Sequence, residues 1–239
     1  MIPKMTVPTY EVTLPSNGKK INIRPFLVKE EKILLMAIES NDNDEIIRST
    51  IQTIQNCIIT ENIDVESLPF FDIDYLFIAL RAKSIGENID VKFHCNAMNS
   101  GTICGNDFKA TIDISNCAIR KDEDLGTDVA LGQGVVVKMR YPSYREMKKI
   151  SNKENQEDLT HSLIAVCMDM IVQGESVHTR KDFETEIPEF LGGLTKQQYT
   201  KLAYWVDNLP TFYVKAEAEC SKCGFDHKIE YNEFESFFV

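Results

Sequence analysis

The sequence predicts an α+β fold of two similar halves, each built from helices and short antiparallel strands and joined by a zinc-ribbon-like four-cysteine site. Three observations predict it. Helical apolar spacing alternates with short runs of strand-like alternation, the order of these patterns repeats, and each half ends in two strands around a cysteine pair. A chain of 239 residues is long enough to bury a core in one large domain or two small ones.

The first half, residues 1–115, is predicted to open with a β-hairpin. Residues 10–14 and 20–24 alternate polar and apolar side chains, and Asn17-Gly18 between them suits a tight turn. Helical patterns follow at residues 28–40 and 44–59, and Asp72 is expected to cap a third helix that stops by Gly86. Residues 89–95 and 107–114 are interpreted as two strands that flank Cys95 and Cys104.

The second half, residues 135–239, is predicted to follow an acidic linker loop at residues 116–134, whose glycines and charges argue against a regular element. The expected elements are then a strand, two helices, a third helix opened by the capping-box pair Thr195 and Gln198, and two strands. Their predicted ranges are 135–141, 143–150, 157–172, 195–208, 212–219 and 226–231.

Short sequence motifs in the two halves also match, which predicts an internal repeat. Ile-Asn-Ile-Arg-Pro at residues 21–25 matches Val-Lys-Met-Arg-Tyr-Pro at residues 137–142. Cys-Gly-Asn-Asp at residues 104–107 matches Cys-Gly-Phe-Asp at residues 223–226. The offsets are close, 116 positions between Arg24 and Arg140 and 119 between Cys104 and Cys223. Chance similarity of short α+β motifs is the competing interpretation, because few residues are identical.

Four of the seven cysteines form the one pattern that carries chemistry. Cys220 and Cys223 make a CxxCG knuckle, and Cys95 and Cys104 supply a second pair with eight residues between them. Cysteine pairs between short strands are typical of zinc ribbons, and four thiolates close the coordination of a structural Zn²⁺ ion. We therefore predict one zinc ion whose ligands are all four cysteines.

Three alternatives stay open for these cysteines. They could remain without a metal, His94 or His227 could replace one of them, or the CxxC pair could serve thiol redox chemistry. Cys57 and Cys167 lie on apolar helix faces and are expected to be core thiols, and Cys117 has no evident partner.

Composition excludes several broad classes of protein. The net charge of −11 disfavours nucleic acid as the main partner, because an acidic surface repels phosphate backbones. The apolar runs are too short for a membrane anchor, and the N-terminus does not resemble a signal peptide, so we expect synthesis in a cytoplasm. A P-loop, a dinucleotide fingerprint, HExxH and GxSxG are all missing from the sequence, which predicts no enzyme activity and no catalytic residue.

Several stretches of the sequence resemble the baseplate hub subunit and hub assembly family of contractile-tailed bacteriophages, the myoviruses. They are TLPSNGKK at residues 13–20, RPFLVKEEKILLM at residues 24–36, LRAKSIGE at residues 80–87, CSKCG at residues 220–224 and IEYN at residues 229–232. The resemblance covers most of the chain and is densest in its first 90 residues.

The resemblance implies a virion structural protein of the tail baseplate that acts in tail assembly. Its expected partners are other baseplate hub or tape-measure proteins, and its expected locations are the virion tail baseplate and, during assembly, the host cytoplasm. A transient assembly chaperone for the hub or the tape-measure protein is the close alternative, and a thiol oxidoreductase at Cys220 and Cys223 is a third.

Overall fold

A computed structural model describes residues 5–99, 101–150 and 156–232, in which helices and strands are mixed as predicted. The chain divides into two compact units. Unit one holds the chain up to Val65, Phe71–Arg120 and the chain from Thr211 onward, and unit two holds Glu66–Phe70 and Lys121–Pro210. This division differs from the predicted halves, because the last two strands belong to unit one.

The first elements of unit one follow the sequence patterns closely. Strands β1 (Tyr10–Thr13) and β2 (Lys20–Ile23) form the predicted hairpin, and Gly18 takes the positive φ of 71° that its turn requires. Helices α1 (Val28–Glu39) and α2 (Asn43–Cys57) come next. The side chain of Asp42 caps α2 by accepting hydrogen bonds from the N–H groups of Asp44 and Glu45.

Asp72 does not cap the third helix, which corrects the prediction. Helix α3 spans Phe70–Ser84, so Asp72 is its third residue and is fully buried. Its carboxylate accepts hydrogen bonds from the backbone N–H of Ser16 at 2.9 Å and from the Ser16 hydroxyl at 2.5 Å. The side chain therefore holds the turn between β1 and β2 against α3, a contact that no local sequence pattern specifies.

A run of short strands follows α3 in unit one. They are β3 (Asn88–His94), β4 (Met98–Asn99), β5 (Thr102–Ile103), β6 (Asp107–Asp113) and β7 (Ala118–Arg120). Strands β3 and β6 pair antiparallel from Asn88↔Asp113 to His94↔Asp107. Strands β4 and β5 form a small hairpin within the loop that joins β3 to β6. Short 3-10 turns lie at Val65–Ser67 and Ile114–Asn116.

Unit two is a four-stranded antiparallel sheet covered by helices. Its elements are β8 (Asp128–Gly132), β9 (Val135–Met139), α4 (Tyr144–Ile150), α5 (Gln156–Cys167), β10 (Met168–Gln173), β11 (Ser176–Thr179), α6 (Arg180–Phe183), α7 (Ile187–Gly192) and α8 (Lys196–Asp207). The strand order is β11-β10-β9-β8. The sheet packs on a core that includes Ile164, Leu202 and Trp205, all buried. The capping box of Thr195 and Gln198 is present at the start of α8, as predicted.

Two predictions about this region are wrong. Residues 116–134 are not a continuous loop, because β7 pairs with the distant strand β12 (Thr211–Glu219), and Val129 and Leu131 of β8 alternate into the core. The predicted helix 157–172 ends at Cys167, because the residues that follow pair with β9 as strand β10. In both places a partner distant in sequence decides the structure.

The chain returns to unit one for its final hairpin. Strand β12 pairs with β13 (Asp226–Tyr231) from Val214↔Tyr231 to Glu219↔Asp226, and the sheet order is β13-β12-β7. Alternate residues of β12, among them Phe212, Val214 and Ala216, are buried. None of the helices in the described residues has the length and apolar character needed to cross a membrane.

Candidate metal centre

The structure places the four predicted ligand atoms together in unit one. The Sγ atoms of Cys95, Cys104, Cys220 and Cys223 all lie within 4.8 Å of one another. The Cys95–Cys223 sulfur distance is 3.6 Å and the Cys104–Cys220 distance is 3.9 Å. A tetrahedron with metal–sulfur bonds of about 2.3 Å has sulfur–sulfur edges of about 3.8 Å. These two distances are close to such an edge, so the four sulfurs are grouped closely enough to hold one metal ion, and all seven cysteines are free of disulfides.

The first pair of cysteines is held by the ends of β3 and β6. Cys95 follows β3 directly, and its N–H donates to the carbonyl oxygen of Asn106 at 2.9 Å. The N–H of Gly105 donates back to the carbonyl oxygen of Cys95 at 3.0 Å. Gly105 has a φ of 60°, which turns the chain from Cys104 into β6.

The second pair is held by the same hydrogen bonds at the ends of β12 and β13. The N–H of Cys220 donates to the carbonyl oxygen of Phe225 at 2.9 Å, and the N–H of Gly224 donates to the carbonyl oxygen of Cys220 at 2.9 Å. Gly224 has a φ of 68°. Glu219, just before Cys220, pairs with Asp226, just after Phe225. In the same way His94, just before Cys95, pairs with Asp107, just after Asn106.

Polar side chains next to the sulfurs complete the surroundings of the site. The Nε2 atom of His227 lies 3.2 Å from the Cys95 sulfur, and the Asn106 side-chain amide donates to the Cys220 sulfur at 3.6 Å. The ring of His227 packs against Phe108 and Phe225. N–H donors around thiolates are the outer contacts that fix metal ligands in place.

The electrostatics of the four thiols are unequal. Burial acts to raise the pKa of Cys220, but N–H groups of Cys223, Lys222 and Asn106 outweigh it and lower that pKa to about 6. Burial raises the pKa of Cys95 to about 12, and the neighbouring thiols add to this shift. A divalent cation would allow all four groups to be thiolates at once, because it offsets their mutual repulsion.

The histidines considered as alternative ligands do not join the group of four sulfurs. His94 is exposed, and its Nδ1 atom pairs with the Asp107 carboxylate at 2.6 Å. His227 contacts a sulfur from outside the group. The sequence left His227 open as a replacement ligand, and the structure places it as a neighbour of the Cys95 sulfur instead. The contact of Asn106 with the Cys220 sulfur was missed from sequence, although Asn106 follows the Cys104-Gly105 pair directly.

Two of the three remaining cysteines are core thiols, and Cys117 is half-buried. Cys57 and Cys167 are both fully buried at the ends of α2 and α5, and burial raises their pKa values to about 11 and about 12. Burial likewise raises the pKa of Cys117 to about 11. Such thiols are poor nucleophiles at neutral pH, and none of the three belongs to the group of four sulfurs.

Fold and site together define an α+β protein whose one cluster of metal-ligand side chains, among the described residues, is a group of four cysteines able to hold a metal ion. The sequence model of a family described as T4 bacteriophage base plate protein matches residues 7–239. The chain therefore belongs to that phage baseplate family. No curated protein and no solved structure shows a significant match to it.

Proposed function

We propose that this protein is a structural component of the tail baseplate hub, which acts in baseplate and tail assembly by binding other hub or tape-measure proteins. The observation that carries the proposal is the family match, which covers nearly the whole chain, from residue 7 to residue 239. The protein would assemble in the host cytoplasm and remain in the virion tail baseplate.

We also propose that Cys95, Cys104, Cys220 and Cys223 bind one structural zinc ion. The four sulfurs lie close enough together to bind one ion, and four thiolate ligands leave no position on zinc for a reacting water molecule, which favours a structural role over a catalytic one. The site joins the β3–β6 hairpin to the β12–β13 hairpin. These two hairpins are far apart in sequence, with 125 positions between Cys95 and Cys220. Metal binding would therefore add to folding stability within unit one.

The zinc proposal is tested by elemental analysis of protein purified without added metal. We expect about one zinc ion per chain, and about none in a Cys104→Ser variant. Cys117→Ser is the matched control, because it removes a thiol outside the site and should leave the zinc content unchanged. A zinc content near zero in the unaltered protein contradicts the proposal.

Two other functions are separated from the hub role by direct experiments. Mass spectrometry of purified virions detects a hub subunit, whereas a transient assembly chaperone is absent from virions and copurifies with hub or tape-measure proteins from infected cells. A thiol oxidoreductase would use Cys220, whose pKa is lowered to about 6. It would show disulfide exchange that depends on Cys220 and Cys223, in protein that contains no metal.

We infer that the two cysteine hairpins descend from an internal duplication. Each has a strand, a cysteine, a second cysteine followed by a positive-φ glycine, and a returning strand, with the same two backbone hydrogen bonds between them. Helix α3 precedes the first hairpin as α8 precedes the second. Superposition of residues 8–115 on residues 132–235 tests this inference, and correspondence of fewer than about half of the elements would refute it.

A further inference from the structure

Helix α1 has apolar side chains on two opposite sides, of which only one is buried by its own chain. Leu34 and Ala37 face the core, together with the buried carboxylate of Glu30. On the other side Val28 is 80% exposed, Leu35 51% and Met36 60%. Exposed apolar side chains that cluster on one face often mark a site of interaction with another protein. The exposed side of α1 therefore has the character of an interface.

The exposed residues are spaced as a helix-pairing seam. Positions 28, 32, 35 and 39 are separated by four, three and four residues, which is the alternation that keeps one stripe facing a partner helix. Val28 and Leu35 supply the apolar positions of this seam, and Met36 widens it. Lys32 and Glu39 are the charged positions, and both are exposed.

We propose that this face of α1 binds α1 of a second copy of the same chain, with the two helices antiparallel about a two-fold axis. With the axis between Leu35 and Met36, these two residues of each copy meet at the centre, and Val28, which would face position 43, lies beyond the paired part of α1. Lys32 of one copy then faces Glu39 of the other, and the pair occurs twice because a two-fold interface repeats every contact. The inference goes beyond the hub role and does not depend on it.

Charge supports a second copy as the occupant. The chain as a whole carries a net charge of −11, yet the seam carries one cation and one anion, so it is balanced where the rest of the surface is repulsive. Lys32 and Glu39 lie seven residues apart, or about 10 Å along the helix, which leaves room between them for the apolar centre. The seam is thus complementary to itself in an antiparallel arrangement.

The size of the face sets the expected strength. A helix of 12 residues is about 18 Å long, and two such faces bury less than the roughly 1,600 Å² of a standard interface. The dimer should therefore be reversible, with a dissociation constant on the order of 10 μM. Recruitment of several copies into one tail structure would raise the effective concentration and favour the pair.

Sedimentation velocity of the full-length, metal-loaded protein between about 1 and 100 μM tests the proposal in the range where such a dimer forms. We expect the unaltered chain to shift from monomer to dimer across this range and Leu35→Glu to stay monomeric. Val177→Glu is the matched control, because Val177 is a similarly exposed apolar residue on β11 and should leave the dimer unchanged. Circular dichroism melting of each variant confirms that it is folded.

A charge exchange distinguishes a second copy from any other partner. Lys32→Glu and Glu39→Lys should each weaken the dimer about tenfold, because each creates two like-charge contacts, and the double variant should restore it. A chain that is monomeric at 100 μM, or a double variant no better than the single ones, overturns the proposal. If Leu35→Glu instead blocks copurification with another baseplate protein while the unaltered chain stays monomeric, the face belongs to that protein and the second copy is excluded.

Discussion

Two arginine–glutamate corners, one in each unit, perform the same task in different surroundings. Arg24 follows β2, and its N–H donates to the carbonyl oxygen of Cys57 at 2.9 Å. Arg140 follows β9, and its N–H donates to the carbonyl oxygen of Cys167 at 2.7 Å. In each case the guanidinium pairs with a glutamate six residues later. Each corner therefore ties a strand, the start of one helix and the end of the next.

The two corners differ in burial and in their hydrogen bonds. The Glu30 side chain is 1% exposed and accepts from the Leu27 N–H, and Arg24 also donates to the carbonyl oxygen of Asn56. The Glu146 side chain is 27% exposed, and both of its oxygens accept from Arg140.

Ser143 adds a hydroxyl to the second corner, where it completes a capping box that Leu27 in the first corner cannot form. The comparison teaches that this arginine–glutamate pair forms whether its glutamate is buried or partly exposed, because in both places each charged group has several hydrogen-bond partners. The buried corner should then suffer more from the loss of one partner.

The largest effect is expected from the cysteine hairpins, where the repeat can be tested by matched variants. Cys104→Ser and Cys223→Ser remove equivalent ligands, and each should abolish zinc binding and lower Tm by more than about 10 °C, because the metal energy is folding energy. Elemental analysis measures the zinc content, and thermal melting with and without a chelator measures Tm. Unequal losses, with one variant keeping its zinc, would contradict the equivalence of the hairpins.

Loss of the metal should also expose the chain to proteolysis. Strand β7 is held by β12, so a loosened final hairpin should open cleavage between residues 116 and 134 in Cys223→Ser. Cys117→Ser serves as the control. If cleavage there is unchanged while only the last strands melt, the metal does not connect the final hairpin to the rest of unit one.

The corners themselves are expected to respond unequally to neutral substitutions. Glu30→Gln leaves Arg24 with an uncompensated charge in a buried site and should cost about 3 kcal/mol of unfolding free energy. Glu146→Gln should cost about 1 kcal/mol, because solvent screens the more exposed pair. Urea unfolding measures both, with Glu31→Gln in the same turn of α1 as the control. Equal costs at the two corners would show that burial does not decide their strength.

Acid should weaken the second corner in a defined pH window. Burial acts to raise the pKa of Glu146, but Arg140 and Ser143 outweigh it and lower that pKa to about 2, from an ordinary value of 4.5. A lowered pKa contributes stability that is fully present above about pH 4.5 and is lost as the pH falls towards 2. After allowance for screening this contribution is on the order of 1 kcal/mol.

The pH effect is measured as a difference, so that a loss of the proposed metal in acid would cancel. The stability gap between the unaltered chain and Glu146→Gln should be constant from pH 7 to about pH 5 and should shrink below it. A gap at about pH 3 that is no smaller than the gap at pH 7 would mean that the carboxylate is not stabilised by its charge.

The smallest effects are expected at the two glycines of the cysteine hairpins. Gly105→Ala and Gly224→Ala should each cost about 1 kcal/mol, because both positions have positive φ. A Cβ atom at Gly105 meets nothing within 4 Å, and at Gly224 it meets Glu219 Oε1 at an ordinary 3.6 Å, so contacts add little. Gly192→Ala, which lies in a helix without positive φ, is the control and should cost nothing. A large difference between Gly105 and Gly224 would argue against equivalent hairpins.

The sequence by itself determined the features that depend on neighbours along the chain. Helical spacing located α1 and α2, the Asn17-Gly18 turn located the first hairpin, and Thr195 with Gln198 located the start of α8. The four cysteines could also be selected from sequence, because the Cys-Gly motif recurs between short strands, and such cysteine pairs are typical of zinc ribbons.

Tertiary structure decided whatever depends on a distant partner. Residues 118–120 become a strand because β12 is available to them, and the helix that ends at Cys167 gives way to a strand because β9 lies beside it. Only the fold reveals that Leu35 is exposed while Leu34 is buried, since their side chains are equally apolar. Local pattern sets the preference for an element, but pairing and burial at long range contribute the larger free energy and make the final choice.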